Sequence, residues 1–199
     1  PKADDLRNTD NIDIDAGTVT VLYGPDASRT ETLYGEDEKI LSGSAVALGD
    51  VNDDGFADIV IGAPKDDSNF TFTTLPDAGS VRVFTGDPAG NYDELVAFFG
   101  DVKAAYAGSS VAVGYVDAVA GADVIIGAPN DDFVGMAQKD NGSVTVYNLH
   151  DAGSIIPKKY GAVAKAFLGK SVAAGDVNED GRDDVIAGAP GDDNGLLKD

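Results

Sequence analysis

The chain has 199 residues, a formal net charge of −21 and no cysteine. Its length allows one sizeable core or a short array of repeats, and the absence of cysteine excludes disulfides and thiolate zinc sites. The negative charge argues against nucleic acid and anionic membranes as partners. No apolar run approaches the roughly 18 residues that a membrane-spanning helix needs.

Strand-like segments recur along the chain at intervals of roughly 60 residues. The first kind begins with Gly and alternates β-branched or aromatic residues with polar ones, which is typical of a half-buried strand. Its copies are Gly17–Tyr23, Gly79–Phe84 and Gly142–Tyr147. A weaker strand is predicted before each new repeat, and its copies are Thr30–Tyr34, Leu95–Phe99 and Ala162–Phe167.

Two further segments complete each repeat. One is an apolar or aromatic residue, a nearby Gly and a short run of small residues, with copies at Leu41–Gly49, Tyr106–Gly114 and Phe167–Gly175. The other is a loop followed by an apolar strand that ends in Gly-Ala-Pro, with copies at Asp58–Pro64, Asp123–Pro129 and Asp184–Pro190. Four strands per repeat, with Gly at strand edges, are typical of a propeller blade. We therefore predict an all-β protein whose β-propeller blades each have four antiparallel strands, with about three blades present.

Two of the three repeats contain an Asp-rich loop before the apolar strand. Both copies have oxygen-bearing side chains at positions one, three, five and nine, and Gly at position six. Calcium takes about six to eight oxygen ligands, and the Gly permits the sharp turn that brings them together. Position seven can add a backbone carbonyl. The predicted ligands are Asp50, Asn52, Asp54, the Phe56 carbonyl and Asp58 in the first loop, and Asp176, Asn178, Asp180, the Arg182 carbonyl and Asp184 in the second.

The alternative is an acidic turn without a metal, because Asp, Asn and Gly are ordinary turn residues. Recurrence of the ligand spacing in the same repeat context favours calcium, so we predict two Ca²⁺ sites. The helix-loop-helix calcium motif does not fit. It needs a Glu at position twelve, where this chain has Ile61 and Ala187, and the flanking segments are strand-like.

The equivalent loop of the middle repeat departs from the pattern. Tyr115, Val119 and Ala120 occupy positions one, five and six, and only Asp117 and Asp123 remain of the acidic set. We predict that this loop binds no calcium and that apolar packing holds its turn.

These motifs together resemble FG-GAP repeats, which build the β-propeller of integrin α subunits and of many secreted bacterial and archaeal proteins. The resemblance covers nearly the whole chain. It implies one calcium ion in each complete loop, with the loops on one face of the propeller and partners usually on the other. It also implies an extracellular or cell-surface protein, where free calcium is high, and a role in adhesion or recognition of a protein or glycan.

The repeat boundaries predict two whole blades, 43–100 and 108–168, between two half-blades, 1–40 and 169–199. The first residues, Pro1–Asp5, resemble the segment that follows a Gly-Ala-Pro, so we expect the natural start to lie upstream. Three explanations stay open: a fragment of a longer propeller, a half-ring that dimerises, or subunits that join head to tail into a filament. A structural subunit of an extracellular filament or layer, formed by self-association of half-blades, is thus the main alternative function.

Other features have mostly structural interpretations. His150 is the only histidine and lies in a turn-like stretch, and there is no nucleophile elbow, so we predict no catalytic residues. A propeller-fold polysaccharide lyase or hydrolase is the third alternative. Asn69 and Asn141 begin glycosylation sequons that are compatible with secretion. An Asp pair after each Gly-Ala-Pro is predicted to cap turns or contact the next blade, with a second metal site as the alternative; the pairs are Asp66-Asp67, Asp131-Asp132 and Asp192-Asp193.

Overall fold

The computed structural model describes residues 15–35, 37, 39–70, 73–133, 139–150 and 153–193. The regular elements in these ranges are strands, and the described residues contain no helix. Accordingly, the described part of the chain offers no helix with the length and apolar character to cross a membrane. The strands are β1 (Thr18–Tyr23), β2 (Arg29–Tyr34), β3 (Ala45–Gly49), β4 (Asp58–Ala63), β5 (Ser68–Phe70), β6 (Thr73–Leu75), β7 (Ser80–Gly86), β8 (Tyr92–Phe99), β9 (Ser110–Gly114), β10 (Asp123–Ala128), β11 (Ser143–Asn148), β12 (Gly153–Tyr160), β13 (Ser171–Gly175) and β14 (Asp184–Gly188).

The strands form antiparallel sheets that are consistent with propeller blades. Two sheets have four strands, in the orders β3-β4-β7-β8 and β9-β10-β11-β12. The pair β1-β2 precedes them and the pair β13-β14 follows them. By their place in the repeat, β1 and β2 match the last two strands of a four-stranded sheet, and β13 and β14 match the first two. The predicted all-β class with four-stranded antiparallel blades is confirmed.

The core lies between neighbouring sheets. Strands β4 and β10 are buried along their whole length, which explains why their sequences are apolar without alternation. One apolar cluster joins Val60 and Val83 of the first four-stranded sheet to Val124 and Ile126 of the second. The first strands of successive sheets, β3, β9 and β13, lie beside one another. Their small residues permit this close approach.

Glycine lets the backbones of neighbouring sheets meet. A Cβ on Gly62 would collide with the backbone carbonyl of Gly108 in the next repeat, and one on Gly127 would collide with that of Gly169. The Gly of the first two Gly-Ala-Pro copies therefore faces the first Gly of the following repeat. Parallel bridges reinforce this junction at three successive places, Gly17 with Ser42, Gly79 with Ala107 and Gly142 with Leu168.

The fourth strand of the middle repeat is not where the sequence predicted it. The prediction of a strand at Ala162–Phe167 is wrong, because the strand is β12, and the predicted segment is a turn with positive φ at Lys165 (59°) and Phe167 (55°). Pro157 within β12 obscured the strand pattern. An edge strand tolerates proline, and the pairing of β12 with β11 is irregular around Val146.

A short hairpin was also missed. Strands β5 and β6 pair with each other between β4 and β7, outside the four-strand repeat. Alternation of Thr with aromatic residues at 70–73 was the available signal. Residues 71 and 72 lie outside the described residues, as do residues 1–14 of the predicted first half-blade and 194–199 of the last.

The glycine junction predicts a sharp difference between two Gly→Ala variants. Gly62→Ala must displace the Gly108 carbonyl, so we expect it to lower the free energy of unfolding by about 1–3 kcal/mol. Gly175→Ala is the matched control in β13, because no atom lies within 4 Å of its added Cβ. We expect the control to change stability by less than about 1 kcal/mol. Denaturant unfolding of both variants measures the difference, and equal stabilities would contradict the proposed role of the junction.

Candidate metal centres

The first Asp-rich loop connects β3 to β4 and is held by its own carboxylates. Asp50 accepts hydrogen bonds from the backbone N–H groups of Asp54 (3.0 Å) and Gly55 (2.8 Å). Asp54 in turn accepts one from the N–H of Phe56 at 2.9 Å. The turn needs positive φ at Asp53 (59°) and Gly55 (89°). Gly at position six of the loop pattern is therefore explained by the positive φ that the backbone adopts there.

The second loop, between β13 and β14, repeats this arrangement. Asp176 accepts from the N–H groups of Asp180 (3.2 Å) and Gly181 (2.9 Å), and Asp180 accepts from the N–H of Arg182 (3.0 Å). Positive φ occurs at Glu179 (62°) and Gly181 (88°). These backbone hydrogen bonds, led by that of Gly181, lower the pKa of Asp176, so its carboxylate is charged at neutral pH.

The two Asn side chains bridge within their loops. Oδ1 of Asn52 accepts from the N–H of Asp54 at 3.1 Å, while its Nδ2 donates to the Asp54 carboxylate at 2.8 Å. Oδ1 of Asn178 likewise accepts from the N–H of Asp180 at 2.8 Å. In both loops, the side chains at positions one and three therefore bind the backbone N–H group of position five.

The Asp at position nine has a structural role that the ligand prediction did not foresee. Asp58 is fully buried and accepts from the N–H groups of Val51 (2.8 Å) and Gly86 (3.0 Å), so it joins the loop to the end of β7. Asp184 accepts from the N–H of Val177 at 3.0 Å. Each of these carboxylates holds the start of its loop against the strand that follows.

The middle loop keeps this structural carboxylate. Asp123 is fully buried and accepts from the N–H groups of Val116 (2.7 Å) and Asp117 (3.2 Å) and from Nδ2 of Asn148 (2.8 Å). Asp117 accepts from the N–H of Val119 at 2.7 Å. The expectation that apolar packing alone holds this turn was incomplete: Val116 does pack against the core, but two carboxylates also bind the backbone.

Electrostatics distinguish the first loop from a neutral turn. Burial raises the pKa of Asp58, and the nearby carboxylates of Asp54 and Asp50 raise it further, against the lowering effect of its two backbone hydrogen bonds. Like charges therefore repel one another across this loop. A cation among these side chains would relieve that repulsion.

The candidate ligand atoms of both loops are of the kinds that calcium binds. Carboxylate, amide and backbone oxygens are the ligands that calcium prefers. A carboxylate has about four acceptor positions, so one or two backbone hydrogen bonds leave it able to coordinate an ion. The described residues contain no group of three or more His, Cys, Asp or Glu side chains already gathered around one point. Calcium binding would therefore draw the loop carboxylates together.

The Asp pairs after the first two Gly-Ala-Pro copies accept hydrogen bonds, which fits a structural role. Asp66 accepts a hydrogen bond from the Ser80 hydroxyl at 2.6 Å, and Asp131 accepts one from Ser143 at 2.6 Å. Asp67 accepts from the N–H of Asp77 at 2.9 Å. These contacts tie the segment after each of these two copies to the start of the next strand of the same sheet.

Two other predicted features are located by the structure. The backbone N–H of His150 donates to the Asn148 side chain at 2.8 Å, in the turn after β11. Asn141, in one of the two sequons, is buried, and its Nδ2 donates to the carbonyls of Gly161 and Val163, both at 3.1 Å. A glycan on Asn141 would have to disrupt these bonds.

An ionic cluster between the two four-stranded sheets was missed at the sequence level. Nζ of Lys158 lies 2.6 Å from the Asp101 carboxylate and 3.0 Å from that of Asp131. Its members are far apart in sequence, and the misplaced fourth strand hid Lys158.

Comparisons with known proteins identify the repeats that contain these loops. A family model described as "FG-GAP repeat" matches residues 42–84 and 168–197, the two segments that contain the complete Asp-rich loops. FG-GAP repeats often bind calcium. The chain is similar to integrin alpha-3 of Mus musculus (27% identical over 186 residues, 88% of this chain), integrin alpha-V of Gallus gallus (32% over 152 residues, 74%) and integrin alpha-5 of Xenopus laevis (29% over 159 residues, 74%). It spans 16%, 14% and 14% of the length of these relatives.

The role of the carboxylate at position nine can be tested where no calcium is predicted. Asp123→Ala would leave the buried donors of Val116 and Asn148 unpaired, so we expect the free energy of unfolding to fall by about 3 kcal/mol in the presence of a chelator. Asp117→Ala, which removes a less buried carboxylate, is the control and should cost about 1 kcal/mol. Similar stability of the two variants in urea unfolding would show that Asp123 does not hold the loop.

Proposed function

Because the chain carries FG-GAP repeats and is distantly similar to integrin alpha subunits over most of its length, we propose that it is a calcium-stabilised, extracellular β-propeller module. Its role is adhesion to, or recognition of, a protein or glycan, without catalysis. The integrin-like module supports a protein-binding role in general, and the strong negative charge favours a partner that is not acidic.

One observation carries the calcium part of this proposal. Two loops far apart in sequence have the same hydrogen-bonded turn, with carboxylates from positions one and five held by backbone N–H groups. The middle loop lacks both carboxylates and also falls outside the residues matched by the FG-GAP model. The two loops with a complete set of oxygen donors are therefore the two that lie in the segments matched by the FG-GAP model.

Calcium would act on stability in this proposal. Each loop connects the first two strands of its sheet, so an ion would fasten those strands together and neutralise the clustered carboxylates. We propose the blade boundaries 43–100 and 108–168, with partial blades at 1–40 and 169–199. A free calcium concentration high enough to fill exposed loops is typical of the extracellular space, which supports an extracellular or cell-surface location.

Calorimetric titration tests the two proposed sites. We expect two calcium ions per wild-type chain and one per chain after either Asp54→Ala or Asp180→Ala, because each change removes the position-five ligand of one loop. Calcium should also raise the melting temperature, since it binds the folded chain preferentially. Asp117→Ala, in the middle loop, is the control and should leave two ions bound. Binding that none of these changes alters would contradict the assignment of both loops.

A structural subunit is the second candidate, and the sheet edges favour it. Strand β14 pairs with β13 alone, and β1 pairs with β2 alone, among the described residues. The two pairs are the first and last halves of a single four-stranded pattern. Strand β14 of one chain could therefore pair with β1 of another, and Ile186 on β14 is half exposed. Repetition of this contact would form a ring or a filament.

The complete sheet predicts the register of this pairing. Val60 of β4 lies opposite Val83 of β7, and the equivalent residues in the two partial sheets are Ile186 and Val21. If half-blades pair, Val21→Cys combined with Ile186→Cys should form a disulfide between chains under mild oxidation. The absence of native cysteine gives a clean background. Val21→Cys combined with Val177→Cys, in an exposed loop, is the control. Equal crosslinking of both variants, or none, would contradict this assembly.

A further inference from the structure

The described part of the chain presents two apolar faces, one at each end of the row of sheets. The start face is formed by Val46 and Leu48 of β3, which share one side of the strand and are 47% and 64% exposed. The end face is formed by Ile186 of β14 and by Val177 in the loop before it, which are 46% and 72% exposed. Neighbouring apolar side chains that stay exposed mark interaction surfaces.

Inside the row, the equivalent side chains are covered by the neighbouring sheet. Ile186 has the same place in the repeat as Ile125 of β10, which is completely buried. Ile125 belongs to a cluster against which Val172 and Ala174 of the following sheet pack. These two residues occupy the positions in β13 that the start face occupies in β3. The start face is therefore the kind of surface that the end face would pack against if the row continued.

Backbone hydrogen bonds between neighbouring loops repeat at each internal junction. The carbonyl of Asp50, at position one of the first loop, accepts from the N–H of Ala122, at position eight of the middle loop (2.8 Å). The carbonyl of Tyr115, at position one of the middle loop, accepts from the N–H of Asp183, at position eight of the second loop (2.8 Å). Among the described residues, position one of the second loop accepts no such bond, and position eight of the first loop donates none.

Charge sets the condition under which the same contact can form between chains. Each internal junction includes the middle loop, residues 115–123, which has only two acidic residues. A contact between chains would place the second loop, with five acidic residues at 176–184, beside a first loop with four at 50–58. Like charges at this density repel one another, and cations bound in the loops would neutralise them. Strong repulsion between neighbouring loops is thus confined to the contact between chains.

We propose that the end face of one chain docks on the start face of a second copy, and that calcium in the two Asp-rich loops switches this contact on. Ile186 of one chain packs against Val46 and Leu48 of the next, and the carbonyl of Asp176 accepts from the N–H of Ala57. A second copy is the occupant because this chain carries both faces, the acceptor and the donor, in the register in which its own sheets pack. The inference deepens the assembly described above and rests on the proposed calcium sites.

Sedimentation velocity of the full chain tests the switch, at several concentrations, in calcium and in chelator of equal ionic strength. We expect species heavier than one chain of 20.3 kDa in calcium. The dissociation constant for self-association should be at least about tenfold higher in chelator. Equal association in both conditions would overturn the calcium switch.

Calcium counting by calorimetry, at a concentration where the chain is monomeric, separates this inference from its premise. Two bound ions together with a one-chain mass at every concentration would overturn the self-association alone. The absence of bound calcium would overturn the ion sites on which the switch rests.

Variants on each face test the direction of the contact. Leu48→Asp and Ile186→Asp each place a charge where the contact would bury it, so each should weaken self-association at least about tenfold. Leu95→Asp on the outer strand β8, at a residue that is 50% exposed, is the matched control and should associate like the wild type.

Mixing the two variants gives the sharpest result, because every head-to-tail contact uses one start face and one end face. An equimolar mixture of Leu48→Asp and Ile186→Asp chains should form a one-to-one dimer and nothing larger. This recovery also shows that both variants fold. No recovery in the mixture would contradict the head-to-tail contact.

Thiol labelling distinguishes a second copy from other occupants of the start face. The thiol of Leu48→Cys should react rapidly in chelator, and more slowly when calcium drives association, because covered thiols are less accessible. Slow reaction in a chain that sediments as a monomer would show that another segment of the same chain covers the start face. That result would overturn the proposal.

Discussion

The close contact of glycine backbones between neighbouring sheets is the constraint on which the rest of the structure depends. Gly62 and Gly127 each face a Gly of the following repeat, with no room for a side chain. Sheets joined this closely bury β4 and β10 on both faces, and they set the first strands of the repeats side by side. The loops between the first and second strands are thereby brought to one side of the array, and the segments after Gly-Ala-Pro to the other. The candidate ion sites and the cluster of Lys158 with Asp101 and Asp131 thus lie at opposite ends of the strands.

Aspartate performs three different tasks in this acidic chain. Carboxylates at loop positions one and five are organised by backbone N–H groups and fit an ion. Buried Asp58 and Asp123 instead hold loops to their sheets, whether or not the loop has the other ligands. Asp131 joins strands and pairs with Lys158 between the sheets. Because a buried carboxylate must be paired or hydrogen bonded, each task can be recognised from its donors. Composition alone could not separate these roles.

Most of the fold could be predicted from the sequence because the repeats impose the same strand pattern three times. The predictions failed where the chain departs from that pattern. Strand β12 contains Pro157, and the hairpin β5-β6 lies outside the four-strand pattern. The candidate ion loops were identified from side-chain spacing, which is local information. The cluster of Lys158 with Asp101 and Asp131 could not be found in this way, because its members come together only when two sheets pack.

Amide hydrogen exchange with and without calcium tests the central claim most directly, because it reports on all three loops in one sample. If the two Asp-rich loops bind calcium and fasten their strands, exchange should slow at residues 50–58 and 176–184 when calcium is added. Exchange at residues 115–123, in the loop without the donor set, should be unchanged. Slowing at all three loops or at none would contradict the claim that these ten residues form two specific calcium sites.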